Sequence, residues 1–338
     1  MRTLLILVGL LATAPARAEY EVSRFAQNPI IHAGLAGLEG ELGENINGPS
    51  LIRVPAWIEK PLGRYYLYFS HHHGAYIRMA YADRLEGPWK IHQAGVLHMK
   101  DAPGRDHIAS PDVHVDDAAK EIRMYFHQPA RKQLRAKGQQ TYLAVSKDGL
   151  AFTARKPELG HPYLRAFDYR GATYAFAKRG DVDGIFLRSR DGVAPFEEGP
   201  RCLPRVRHSA LWVEGDTLFL LYTTVGDAPE RIQLSTVDLS QDWNKWAPSK
   251  PRILLEPETD YEGANEPLVP STYGASEGPV RQLRDPAIFF EDGRRYLLYS
   301  VAGERGIAIA ELRAVSGAAS GSRADSRPSG TSRAPRGW

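Results

Sequence analysis

Three features of the sequence predict an all-β chain folded as a five-bladed β-propeller with four-stranded antiparallel blades. A unit of strand, turn, aromatic strand and third strand recurs five times between residues 50 and 312. The second strand of each unit is rich in β-branched and aromatic residues and ends in a polar or small one. No apolar repeat at helical spacing lasts more than a turn or two. Repeated meanders of about 40–75 residues describe a propeller; a two-sheet sandwich has no such repeat of strand order.

The elements follow in chain order. Residues 21–31 read as extended and precede the first unit. The first strands lie at 50–54, 112–116, 167–170, 210–214 and 287–291. The second strands lie at 65–70, 122–127, 173–178, 218–224 and 296–300. Asp116-Asp117, Glu214-Gly215-Asp216 and Glu291-Asp292-Gly293 are hairpin signals between them; blade one has a longer joint holding Pro55 and Pro61. Third strands follow at 76–82, 141–146, 184–189, 231–237 and 306–312. Two of them enter matching turns, Ser146-Lys147-Asp148-Gly149 and Ser189-Arg190-Asp191-Gly192. A weaker fourth strand follows in four units, and the fifth lacks one. The segment at 21–31 is expected to supply it, which closes the ring and covers an open edge.

The ends read differently from the body. Arg2, the apolar run 4–12 and Ala16-Arg17-Ala18 have the order of a signal peptide over 1–18, which predicts export to the periplasm or beyond the cell. That run is too short to span a bilayer. The propeller is expected over 19–313, followed at 314–338 by a disordered tail of Ser, Gly, Arg and Pro. The ends hold six of the 43 basic residues and one of the 40 acidic ones, so the body is slightly acidic. It has no clustered basic face, which argues against nucleic acid as a partner. The lone Cys202 leaves no internal disulfide. The expected state is a monomer without a membrane span.

In a propeller the first strands start at one face near the axis, and the second strands end there. That mouth can be read from the sequence. The starts carry Asn47-Gly48-Pro49-Ser50, Ser110-Pro111-Asp112, Arg165 to Asp168, Arg207-His208-Ser209 and Arg284-Asp285-Pro286. The ends carry Ser70-His71-His72-His73, His127-Gln128-Pro129, Lys178-Arg179, Thr223-Thr224 and Ser300-Val301. The connection 256–284 is the longest, holds Glu262 and Arg281, and mixes Tyr, Leu, Val and Pro with its charges. It is expected to be ordered over the mouth. No phosphate-binding glycine loop, GxSxG elbow, HExxH or CxxC pair is present.

An Arg284-Asp285-Pro286 triplet at an inner-strand start, in a chain with a polar mouth, resembles the arabinanase and fructosidase superfamily, and within it glycoside hydrolase families 43 and 117. The resemblance implies an oligosaccharide or polysaccharide substrate, furanoside or a related plant or algal sugar, cleaved with inversion. It requires no cofactor and admits a calcium ion in the axial channel. The sequence departs from family 43 where that family has its blade-one Asp base, because this chain has Asn47-Gly48-Pro49-Ser50. It also lacks the blade-three Glu acid: through the first three strands of that unit, 167–189, the carboxylates are Asp168, Asp181 and Asp183. Family 117 is associated with a His acid, a role open to His208.

Glycoside cleavage needs an acid for the leaving oxygen and a base for water, about 6.5–9.5 Å apart for inversion. The candidates are Asp285 and Asp112 across the mouth, with Glu262 or His208 as acid. Arg281 and Arg284 are expected to keep Asp285 ionised. Asn47, Arg165, Arg207, Arg281, Arg284, His72 and His127 are the candidate sugar ligands. His71-His72-His73 alternate in direction along a strand, so no metal centre is expected from them. Two other functions fit the same mouth: glycan binding without catalysis, and a polysaccharide lyase acting on uronates with Tyr or His.

Overall fold

The computed structural model describes residues 19–130 and 138–315. Contacts gather Val22–Arg313 into one compact body. The other unit, formed by the two chain ends, lies almost wholly outside the described residues, as do the expected signal peptide and all but the first two residues of the expected tail.

The body is a five-bladed β-propeller. Each of the first four blades is a four-stranded antiparallel meander in chain order. The inner strands are Asn47–Arg53, Ala109–Asp116, Arg165–Tyr169, Val206–Glu214 and Arg284–Glu291. In blade five the outermost strand is Glu19–Arg24, paired with Gly306–Val315, which also pairs with Ile31–His32. Asn28 extends this seam, its amide donating to Ile309 O at 2.8 Å and its Oδ1 accepting from Ile309 N at 2.9 Å. The N-terminal segment thus closes the ring.

Large apolar side chains fill the spaces between blades. Tyr65, Phe289 and Tyr296 pack between blades one and five; Tyr66, Tyr68, Phe126 and Tyr142 pack between one and two. Fully burying such a side chain stabilises the fold by about 1.5–3 kcal/mol. Two tyrosines also carry a polar latch. Tyr68 OH donates to Gly149 O, and Tyr125 OH donates to Gly192 O, both at 2.9 Å. Each acceptor is the glycine of a Ser-x-Asp-Gly turn in the next blade. Both glycines have φ near +70°, and a Cβ on either would stand 2.7 Å from the phenol oxygen. The turn therefore needs glycine for its backbone and for its visitor.

Candidate active site

The inner strands of blades one, two and five begin with the same irregularity. Pairing with the second strand is interrupted between Asn47 and Ser50, between Ala109 and Asp112, and between Arg284 and Ala287. Inside each bulge a residue in the left-handed region precedes a proline: Gly48 (φ 62), Ser110 (φ 52) and Asp285 (φ 48). Bulges bend a strand and re-aim its side chains. The three positions are structural equivalents, and only blade five has a carboxylate there.

Asp285 is 1% exposed. Ser300 Oγ donates to its Oδ2 at 2.9 Å, and Gly48 N donates to the same oxygen at 3.4 Å. Its Oδ1 is in contact with His208 Nδ1. Gly48 cannot be enlarged freely, since a Cβ there would stand 3.0 Å from Ser70 Oγ and 3.3 Å from Ser110 Cα. Burial, with Arg207 and Lys178 nearby, holds the His208 imidazole well below its usual range, so it is neutral.

His208 lines a cleft of about 450 Å³ together with His72, Tyr163, Lys178, Arg207 and Tyr273. Tyr163 has φ 58, rare for a bulky residue, and its ring lies between His127 at 4.2 Å and His208 at 4.4 Å. His127 is 1% exposed, and neither ring nitrogen has a hydrogen-bond partner among the described residues. Lys178 Nζ stands 5.3 Å from the rings of both Tyr163 and Tyr273 and pairs with Asp181 at 2.7 Å. On the blade-one side of the mouth, His72 Nδ1 is 3.5 Å from Glu304 Oε1. Glu304 is held down to about 2 by His72, Arg284 and Asn45, against the opposing effect of its burial. Three imidazoles line the cleft, and two of them, His208 and His72, are each backed by a buried carboxylate, whereas His161 pairs with the exposed Glu198.

A buried charge network lies against this mouth. Arg207 forks onto Glu230, Nε to Oε1 at 2.8 Å and Nη2 to Oε2 at 3.0 Å. Arg284 Nη1 donates to Glu304 at 2.9 Å, and its Nε lies 3.9 Å from Glu230. Both guanidiniums also clamp the long connection: Arg207 donates to Thr272 O and Gly274 O, and Arg284 to Gly274 O. Tyr273 OH ties the same segment to Asp181 O at 2.7 Å.

The uncharacterized protein R118 of Acanthamoeba polyphaga mimivirus is 37% identical over 329 residues, spanning 87% of this chain and 91% of the viral one. The chain belongs to the family of that viral protein. No family model matches it. Its fold is that of the family-43 glycoside hydrolases. The α-L-arabinofuranosidase of Lactobacillus brevis superposes with a TM-score of 0.59 at 12% identity, covering 84% of this chain and 92% of that one. A GH43_1 enzyme of Xanthomonas citri, crystallised with xylose, superposes with a TM-score of 0.54 at 16% identity, over 82% and 89%. At these identities the likeness is one of fold.

Several residues of this family member stand elsewhere than the sequence suggests. Asp112 does not line the mouth cleft. The bulge puts Ser110 at the strand start and carries Asp112 down into a separate cavity of about 250 Å³ bounded by all five inner strands. There it accepts from Ala166 N at 2.9 Å and pairs with His114 at 2.8 Å. Glu262 is fully buried and does not line the cleft: it accepts from Arg24 at 2.8 Å, Tyr299 OH at 2.8 Å and Glu258 N at 2.9 Å. It anchors the closing N-terminal segment. Arg284 turns its guanidinium to Gln282, Glu304 and Gly274, so His208, Ser300 and Gly48 answer Asp285 instead. Arg281 is half-buried off the cleft. Asn47 bonds to Asn45 and Ser70. Of the expected sugar ligands, His72 and Arg207 line the cleft, and His127 lies against Tyr163.

Arg165 is buried, with Nε donating to Ser209 O and Nη1 to Ser110 O and Pro111 O. A calcium ion would need such oxygens itself. Among the described residues no three His, Cys, Asp or Glu converge on one point.

Glu230, Glu304 and Tyr163 were not foreseen. A signal for the first two exists: Glu230-Arg231 and Glu304-Arg305 occupy the same loop, between second and third strands, in successive blades.

Proposed function

We propose that this protein is an exported glycoside hydrolase acting on short neutral oligosaccharides at the propeller mouth. The observation that carries the reading is the pair of carboxylate-backed imidazoles on one cleft, His208 with Asp285 and His72 with Glu304. Burial, with Arg207 and Lys178 nearby, keeps the His208 imidazole neutral, which suits a base. His208, neutral and held at Nδ1 by Asp285, takes the proton of the attacking water through Nε2. His72 gives its proton to the leaving glycosidic oxygen, with ionised Glu304 as counter-charge. The formal charges around the cleft are paired, Arg207 with Glu230, Arg284 with Glu304 and Lys178 with Asp181, which supports a neutral sugar over a uronate.

One observation favours a second reading, glycan binding without turnover. Among the described residues lining the cleft, Asp181 is the only carboxylate, and Lys178 engages it. A panel of aryl glycosides and of plant and algal oligosaccharides separates the two. Hydrolysis is expected to release a reducing sugar from at least one of them. Saturable binding with no product would establish the second reading.

A further inference from the structure

Blades three and four enclose a second groove of about 450 Å³ that shares no residue with the mouth. Its wall is aromatic. Tyr174 lies 4.7 Å from Trp246 and 6.1 Å from Trp243, and Tyr169 lies 6.3 Å from Trp246. Trp246 and Tyr174 belong to the interblade core; Tyr169 and Trp243 are half-buried at its margin. The Arg188 guanidinium stands 5.9 Å from the Tyr174 ring and 5.8 Å from Trp243, and Arg170 covers Tyr169 at 5.1 Å. Gln241 and Asn244 complete an exposed polar rim.

Trp243 is presented by a rigid device. It opens the short helical turn Trp243–Lys245, whose cap Asp242 accepts from Asn244 N at 2.9 Å. The indole rests on Gly199 of the neighbouring blade, where a Cβ would stand 2.3 Å from the ring. The absence of a side chain at 199 lets the ring lie down on the strand.

We propose that this groove is a second glycan-binding site, which holds a saccharide chain without cleaving it. The proposal rests on the reading of the mouth as a carbohydrate site. Binding sites combine apolar and aromatic walls with a few placed polar groups. Aromatic rings accept the C–H faces of sugar rings, while guanidinium and carboxamide groups meet pairs of hydroxyls. Among the described residues lining the groove there is no imidazole and a single carboxylate, Asp242, which is engaged as the cap of the Trp243–Lys245 turn, so the acid and base pair that cleavage needs is missing. Two sites on one protein raise retention on a polymer by about 10²–10⁴-fold when both can engage it.

The test is retardation in native gels cast with arabinan or arabinoxylan, beside turnover of a soluble aryl glycoside. Trp243→Ala is expected to weaken retention by roughly tenfold or more and to leave aryl-glycoside turnover within about twofold. Arg188→Ala, an exposed change that does not disturb the core, is expected to weaken retention in the same direction. If retention survives both changes and is lost with Tyr273→Ala at the mouth, the groove proposal falls and the hydrolase reading stands. If no glycoside is cleaved but retention depends on Trp243, the hydrolase reading falls and the groove proposal stands. Absence of retention on every polymer overturns the groove proposal.

Discussion

Glu230→Gln is the most informative single change. Glu230 is fully buried and receives a fork from Arg207, itself 4% exposed, with Arg284 at 3.9 Å. The amide keeps the shape of the side chain and removes its charge. Arg207 and Arg284 then face each other with one carboxylate between them instead of two. Arg207 already works against the charged form of Arg284 in the native protein, after burial itself. Removing one partner of a buried pair typically costs about 3–5 kcal/mol. For a body of this size roughly 2 °C of Tm follows each kcal/mol, so a fall of about 6–10 °C is expected. An exposed pair supplies the control: Asp216→Asn, which loses its bond with Arg170, should cost under about 1 kcal/mol. Differential scanning fluorimetry reads both. Arg207 also clamps Thr272 and Gly274, so hydrogen exchange over 272–274 should quicken in Glu230→Gln beyond what lost stability explains. A Tm within 1 °C of the control, with unchanged exchange, would refute the view that this network sets the mouth loop.

Four further outcomes are expected. Asp285→Asn should lower turnover by at least about 10²-fold and leave the fold intact, whereas Asp112→Asn, off the cleft, should keep turnover within a few-fold; the reverse result would put the chemistry in the other cavity. His72→Gln should slow glycosides with poor leaving groups by about 10²-fold or more and barely affect activated aryl glycosides, and a uniform loss would remove it as the acid. Burial, with other histidines adjacent, lowers His107 to about 4 and His127 well below the usual 6.5, as it does His208. The unfolded chain binds protons that these rings refuse, so stability should fall as pH drops from about 6.5 toward 4; Glu304, lowered to about 2, adds to the loss below 4.5, and a flat Tm across that window would contradict the assignment. Glu262→Gln should loosen the ring closure, cost about 3 kcal/mol and speed proteolysis near Arg24, and an unaltered digestion pattern would mean the closure does not depend on that bond.

The ring was legible because strand alternation and aromatic second strands repeat along the chain, and each turn between them has its own chemistry. The mouth was legible as a set of residues but not as distances. Asp112 and Asp285 look alike in sequence, each beside a proline at a strand start. The bulge counts Ser110, not Asp112, as the partner of Asp285, and a bulge leaves no unambiguous mark in a single sequence. Glu262 between a tyrosine and a glycine reads the same whether it faces a substrate or Arg24, 238 residues away. Arg284 was expected to serve its neighbour Asp285, yet a long side chain beside a bulge points away from the adjacent residue and finds Glu304.

The two tyrosine latches have an evolutionary reading. Tyr68 and Tyr125 each reach the carbonyl of a Ser-x-Asp-Gly turn one blade ahead, and the two turns are built alike: Ser146 Oγ accepts from Gly149 N, and Ser189 Oγ from Gly192 N. The joints are therefore interchangeable. Blade two carries both the tyrosine and the acceptor turn, so a duplicated copy of it would meet a matching partner on either side. Among the described residues the seam runs across the first three blades only. Between blades three and four, Trp246 packs on Phe167, Tyr174 and Phe186 instead. The chain carries two dialects of blade junction, and the one built on Trp246 borders the blade that supplies His208.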